Sequence, residues 1–264
     1  MHGIARDLVS PGWAPTGGTV NGKRAPSGGH PQWHHVQVRR AGPGQPDTTQ
    51  TEKEYPPGLS DVSAGGQRRT GTTEDMRHGR LHWYTPNELT RQQHAIYAGV
   101  RSKYGPNPPF VLTDQDGRLH GPFNAMLAAP GVGAALQHLS MAVGAETSLS
   151  QRLRELVILT VAVHRDSRFE WFAHHHLAGH VGVSPSELAT VAAGELPTTL
   201  DRTEHAVLTM TRELLTQHDV TTETSTTVQE LYGEAVLVEL TTLVGYYELL
   251  ATLLRVVDVP LPPE

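Results

Sequence analysis

From residue 85 onward the apolar positions recur at intervals of three and four, the spacing of an α-helix, and no stretch sustains the alternation of a strand. Thr85-Pro86-Asn87-Glu88 is a capping box with proline in the first turn and predicts a helix to about residue 102. Gly105-Pro106-Asn107-Pro108-Pro109 predicts a rigid loop. Residues 124–138 predict a second helical region interrupted at Pro130-Gly131. Residues 149–164 are apolar almost all round, the pattern of a buried helix. Arg165-Asp166-Ser167 breaks that run, and residues 170–181 predict the next helix, ended by Gly182.

Ser184-Pro185-Ser186-Glu187 opens a short helix, and Asp201 with Glu204 caps an amphipathic one reaching Gln217. Residues 224–232 predict a short helix and residues 235–256 a long, very apolar one. The expected architecture is all-α, without a sheet. The last helix carries more apolar surface than a small monomer covers easily, which predicts burial between subunits.

Composition divides the chain near residue 80. Residues 1–80 hold 14 of the 26 glycines and 8 of the 19 prolines, with few aliphatic pairs. Such a segment buries too little apolar area to offset its ordering entropy, so residues 1–80 are expected to be a disordered arm and 81–264 one helical domain. Trp13 and Trp33 read as isolated residues of that arm. Met76, just before the ordered part, is an alternative start.

The net charge is −6 and no basic face is visible, which argues against nucleic acid. The apolar run at 156–163 is far short of the roughly 20 residues of a membrane span, and no secretory signal opens the chain. The sequence contains no cysteine, which removes disulfides, thiolate metal sites and cysteine peroxidase chemistry. A cytoplasmic protein is expected.

The chemistry-bearing residues cluster around the break at 165–167. Glu170 and His174 stand four apart and should share a helix face. Glu155 interrupts the apolar helix before them and needs a partner, which Arg152 or Arg154 could also supply. An imidazole beside carboxylates in apolar surroundings suits proton transfer; a surface ion pair would share the spacing. Ser167 could bind a substrate oxygen or cap the following helix. In the run His174-His175-His176, then His180, the last two share a face. No HExxH motif accompanies them, so no metal or other cofactor is expected. No phosphate-cradling loop and no Gly-x-Ser-x-Gly elbow occurs.

These residues resemble the carboxymuconolactone decarboxylase-like family, which also contains alkylhydroperoxidases. In the peroxidase branch a helical Glu precedes Cys-x-x-Cys by twelve residues, with His four further on. That frame falls here on Glu155, Ser167-x-x-Glu170 and His174, so Ser167 and Glu170 replace both cysteines. Gly121-Pro122-Phe123-Asn124-Ala125, Gly245-Tyr246-Tyr247-Glu248-Leu249 and Val259-Pro260-Leu261-Pro262-Pro263 also match, so the resemblance spans roughly 84–263.

The resemblance implies an alkylhydroperoxidase-like helical bundle assembled as a trimer or hexamer. It further implies acid–base chemistry, decarboxylation or proton transfer, on a small lactone or carboxylate. His174 would shuttle the proton, Glu170 orient it, and Glu155 act as a second acid or base. Ser167, Arg168, Trp171, Phe123, Asn124, Tyr246 and Tyr247 are the expected substrate contacts, and Arg152, Arg154 or Arg168 would hold a carboxylate. A non-enzymatic binder on the same fold, or a metal enzyme using the histidine run, are the alternatives.

Overall fold

A computed structural model describes residues 76–263. The elements run β1 (Arg77–His78), β2 (Leu81–His82), α1 (Arg91–Tyr104), α2 (Pro122–Ala128), α3 (Pro130–Ala145), α4 (Gln151–His164), α5 (Arg168–His180), α6 (Pro185–Ala192), α7 (Arg202–Gln217), α8 (Thr222–Tyr232) and α9 (Ala235–Val257). Apart from the short β1–β2 hairpin, the described residues form an all-α helical bundle.

At its centre lies α4, packed on α5, α6, α7 and α9. Leu153, Leu156, Val157, Ile158, Leu159, Val161 and Ala162 bury nearly every face of it, as an all-round apolar sequence requires. Ser150 caps its start by accepting the amide of Leu153, and Asp166, with φ 51°, helps the chain reverse into α5. Burial of α4 makes its one carboxylate, Glu155, conspicuous.

Expected and observed elements differ in three places. The Thr85–Glu88 capping box forms, yet it closes only a single 3-10 turn, Pro86–Glu88; a second box, Thr90 with Gln93, opens α1. The break expected at Pro130-Gly131 is present, as two helices that meet at Ala129, whose φ of −133° is not helical, but together they run from Pro122 to Ala145 rather than over 124–138. Gly133 lets them approach: a Cβ there would strike the Met126 carbonyl. A small antiparallel hairpin, β1 with β2, exists where no sheet was expected, because two-residue strands leave no alternation to read.

Residues 1–75 of the expected arm lie outside the described residues, and so do Trp13 and Trp33. Residues 76–80 are part of the packed structure. The hairpin straps the start of α2 to the end of α9. His78, buried, accepts the amide of Gly121 at 3.1 Å, and Asn124 bonds the Tyr84 amide and the His82 carbonyl. At the other end Arg80 donates to the carbonyls of Val257 and Val256. Burial, reinforced by nearby His120, pushes the His78 imidazole down to about 4, so it is neutral near pH 7.

Among the described residues α9 is long and apolar enough to cross a membrane by length and composition alone. Leu240, Leu243, Val244, Leu250 and Leu254 bury one side of it, and it packs on α2, α3, α4, α7 and α8.

Candidate functional site

The α4–α5 hairpin brings Glu155 against His174. His174 Nδ1 lies 2.7 Å from Glu155 Oε2, and both side chains are largely buried. With Glu155 as acceptor, Nδ1 carries the proton and Nε2 is the basic nitrogen. Glu155, not Glu170, is therefore the carboxylate that orients the imidazole. The reason is geometric. Residues four apart on one helix stack along its axis, whereas the antiparallel neighbour presents its carboxylate across the hairpin.

Glu170 occupies the first turn of α5 and is 3% exposed. Neither carboxyl oxygen has a hydrogen-bond partner among the described residues. Burial pushes its carboxyl up to about 8, only partly opposed by the Ser167 hydroxyl and the Arg165 charge. At neutral pH it is an uncharged acid.

Glu170 and His174 line one cavity. Its walls are aromatic: Tyr104, Phe110, Phe123, Phe169, Tyr246 and Tyr247. The open space is narrow, about 30 Å³, room for one or two waters. Tyr247 meets the His174 ring edge-on at 5.2 Å. Burial raises the phenols of Tyr104, Tyr246 and Tyr247 above the ordinary tyrosine value, so all three stay protonated at neutral pH. Lys103 reaches the rim, donating to Ser140 Oγ at 2.6 Å.

Of the expected contacts, Phe123, Tyr246 and Tyr247 line this cavity and the others do not. Asn124 is fully buried and spends its amide on the hairpin. Trp171 is buried, its ring 5.6 Å from that of His175. Ser167 and Arg168 border a separate cleft with Arg255 and Asp258. Arg152 pairs with Glu187 and Glu204, and Arg154 donates to the Leu149 carbonyl, so neither partners Glu155. Among the described residues no three His, Asp or Glu side chains group as metal ligands; His180 instead bonds the His176 carbonyl.

Tyr104, Phe110, Ser140 and Phe169 escaped the sequence reading. For Phe169 a signal existed. Residues 169, 170, 173 and 174 form one stripe of α5, and all four line the cavity. Tyr104 and Phe110 arrive from a distant helix and loop, and no local spacing announces them.

Residues 130–213 match the profile of the Carboxymuconolactone decarboxylase family. Over that segment the chain is similar to the carboxymuconolactone decarboxylase family. The match spans α3 to α7 and so contains the Glu155–His174 pair and Glu170. The absence of cysteine from the sequence fits a branch of that family without the redox pair.

Solved structures share the fold at low identity. One is described as an alkylhydroperoxidase AhpD core, an uncharacterized peroxidase-related protein from Ralstonia eutropha JMP134 (TM-score 0.58, 13% identity, 70% of this chain and 93% of that one). Another is the debrominase Bmp8, seen free and, as a cysteine-to-alanine variant, with 2,3,4-tribromopyrrole. Each of these aligns with TM-score 0.54 and 13% identity over 68% of this chain and 90% of that one. No curated protein sequence matches the chain.

Proposed function

We propose that this protein is an acid–base enzyme that relocates a proton on a small unsaturated substrate such as a lactone, by isomerisation or by decarboxylation followed by protonation. The observation that carries the reading is the 2.7 Å contact of Glu155 with His174, which lines a cavity together with Glu170, whose carboxyl oxygens have no hydrogen-bond partner among the described residues.

In this scheme Nε2 of His174 removes a proton from a carbon next to a carbonyl. Glu155 holds the Nδ1 proton and offsets the charge of the imidazolium that forms. The electron pair moves onto the carbonyl oxygen, and the neutral Glu170 donates a hydrogen bond to that developing oxyanion. The imidazolium then returns the proton at another carbon, which restores the enzyme. In a decarboxylation the same enolate arises by loss of carbon dioxide, and His174 must enter protonated to supply the proton.

Three further considerations support the reading. The family takes its name from a decarboxylase. A structure on this fold holds a small unsaturated ring, 2,3,4-tribromopyrrole. Thiol-dependent peroxide reduction is closed to a chain without cysteine. The absence of cysteine also suits a reducing compartment, and we take the protein to be cytoplasmic.

The test is deuterium incorporation in D₂O, with carbon dioxide release followed in parallel, over a panel of butenolides, carboxy-lactones and β-keto acids. His174→Ala is expected to slow the reaction by about 10²–10⁴-fold, the usual contribution of general acid–base catalysis. Glu155→Gln should lose rate while retaining substrate binding. Turnover unchanged in His174→Ala, or no exchange and no release from any compound, would refute the proposal.

A further inference from the structure

The cavity carries more information than the reaction type. Its wall is six aromatic rings, and no arginine or lysine lines it among the described residues. Lys103 stands at the rim, and the nearby arginines are engaged elsewhere. Lys103 stops at the Ser140 hydroxyl, and the charge it senses most strongly is that of Glu155. Arg165 faces Glu248 at 3.7 Å on the outer side of α9. Arg152 is committed to Glu187 and Glu204. Arg168 borders the other cleft.

The inner acid, Glu170, has two buried oxygens without a hydrogen-bond partner among the described residues, with only the Ser167 hydroxyl and the Arg165 charge acting on it from outside the cavity lining. A carboxylate brought into this space would be a second buried anion near Glu155, met by phenol and imidazole groups but by no guanidinium or ammonium in the lining to balance its charge. Burial of an unpaired charge is among the costliest events in protein interiors. An uncharged ring meets no such penalty, and aromatic walls receive its faces well. A carbonyl oxygen on that ring would satisfy Glu170.

We infer that the cavity is built for a small, flat, uncharged ring that offers one carbonyl-type oxygen to Glu170, and that it rejects the same ring carrying a carboxylate. The role of Glu170 here rests on the acid–base reading above. The inference narrows that reading, because the favoured reaction becomes proton relocation within a neutral ring rather than loss of a carboxylate.

At about 30 Å³ the cavity is too narrow for a ring as it stands, so a wall must move. Among the six rings Phe110 is the one carried by a loop. It sits on the loop between α1 and α2 and is only half-buried, whereas the other five rings are mounted on helices.

The experiment is a matched-pair titration of the full-length protein by ligand-observed NMR. The pairs are 2(5H)-furanone with its 5-carboxylate, and 4-pyranone with its 2-carboxylate. At pH 7 each neutral ring should bind at least tenfold more tightly than its carboxylate partner. For the neutral rings, wild-type affinity should fall severalfold as pH rises past about 8, where Glu170 loses its proton. The affinity of Glu170→Gln should stay level across that range. Carboxylates that bind as well as or better than their partners, or neutral rings without millimolar affinity, would overturn the inference. Binding is read without turnover, so the two readings fail separately. Deuterium exchange with carboxylate preference sinks only the substrate class, and neutral-ring binding without exchange sinks only the chemistry.

Discussion

Glu170 sets the residue-scale problem, because a carboxyl with no partner at 3% exposure is costly to fold. Its native value of about 8 lies above the ordinary 4.5, so the folded protein binds a proton that the unfolded chain has released. Stability must then fall as pH climbs from about 4.5 to about 8, and level off on either side. At pH 7 the cost approaches 3 kcal/mol, at about 1.4 kcal/mol per unit. Glu170→Gln removes the ionisation and keeps the shape. Urea denaturation should show the variant gaining on wild type across that window, by up to ~3 kcal/mol at pH 7, with little difference at pH 4. A pH-independent gap between the two would show that Glu170 is ionised in the native state. The price of this group is consistent with a residue kept for chemistry rather than for stability. The sequence marked Glu155, Glu170 and His174 through their spacing and their apolar surroundings. It could not show which carboxylate holds the imidazole, because that contact is made between helices and depends on how the hairpin closes.

One cation ties three helices of this protein together. Arg152 of α4 reaches Glu187 of α6 at 2.6 Å and Glu204 of α7 at 2.8 Å, while Glu187 also accepts from Ser184 and Thr199. The guanidinium beside it holds the Glu187 carboxyl well below the usual carboxylate range. Three elements therefore meet on one cation, at the end of α4 where the Glu155 turn begins. Arg152→Met would leave Glu187, 5% exposed in its side chain, as a buried charge without its partner. The expected loss is about 3–5 kcal/mol, read as a lower midpoint in denaturant. A loss under 1 kcal/mol would mean that the hydroxyl donors alone satisfy Glu187. Two helix starts were legible from their caps, since Ser184–Glu187 and Asp201–Glu204 both form the boxes their spacing announces. The Thr85 box was legible too, but not how far its helix would run. A second box at Thr90 competes for the same segment, and packing of Gln93 onto the Leu127 carbonyl favours the later start.

Seen as a whole, the described chain covers one side of α9 and leaves part of the other apolar. Val238, Leu249 and Val256 are 71%, 46% and 58% exposed on α9, and Val132 on α3 is 63% exposed. Leu249, Val256 and Val132 border a single apolar groove, with Met126 and Leu136 in its wall and Arg165 and Glu248 at its edge. A groove of this composition is the kind of surface that a protein of this size normally hides, and a symmetric assembly hides it with a copy of itself. Self-association in a trimer or hexamer is the expected outcome, driven by transfer of apolar area from water. Leu249→Glu with Val256→Glu places two charges in the groove without touching the cavity, since neither side chain lines it. Sedimentation equilibrium at tens of micromolar should give a mass several times 28.7 kDa for wild type and near one chain for the double variant. Unchanged circular dichroism would show that the variant remains folded. If wild type sediments as a monomer, the groove is uncovered in solution and the oligomer is refuted. If the double variant keeps the wild-type mass, assembly uses another face. The discriminating comparison is then with Val238→Glu, on the stretch of α9 that lies outside the groove.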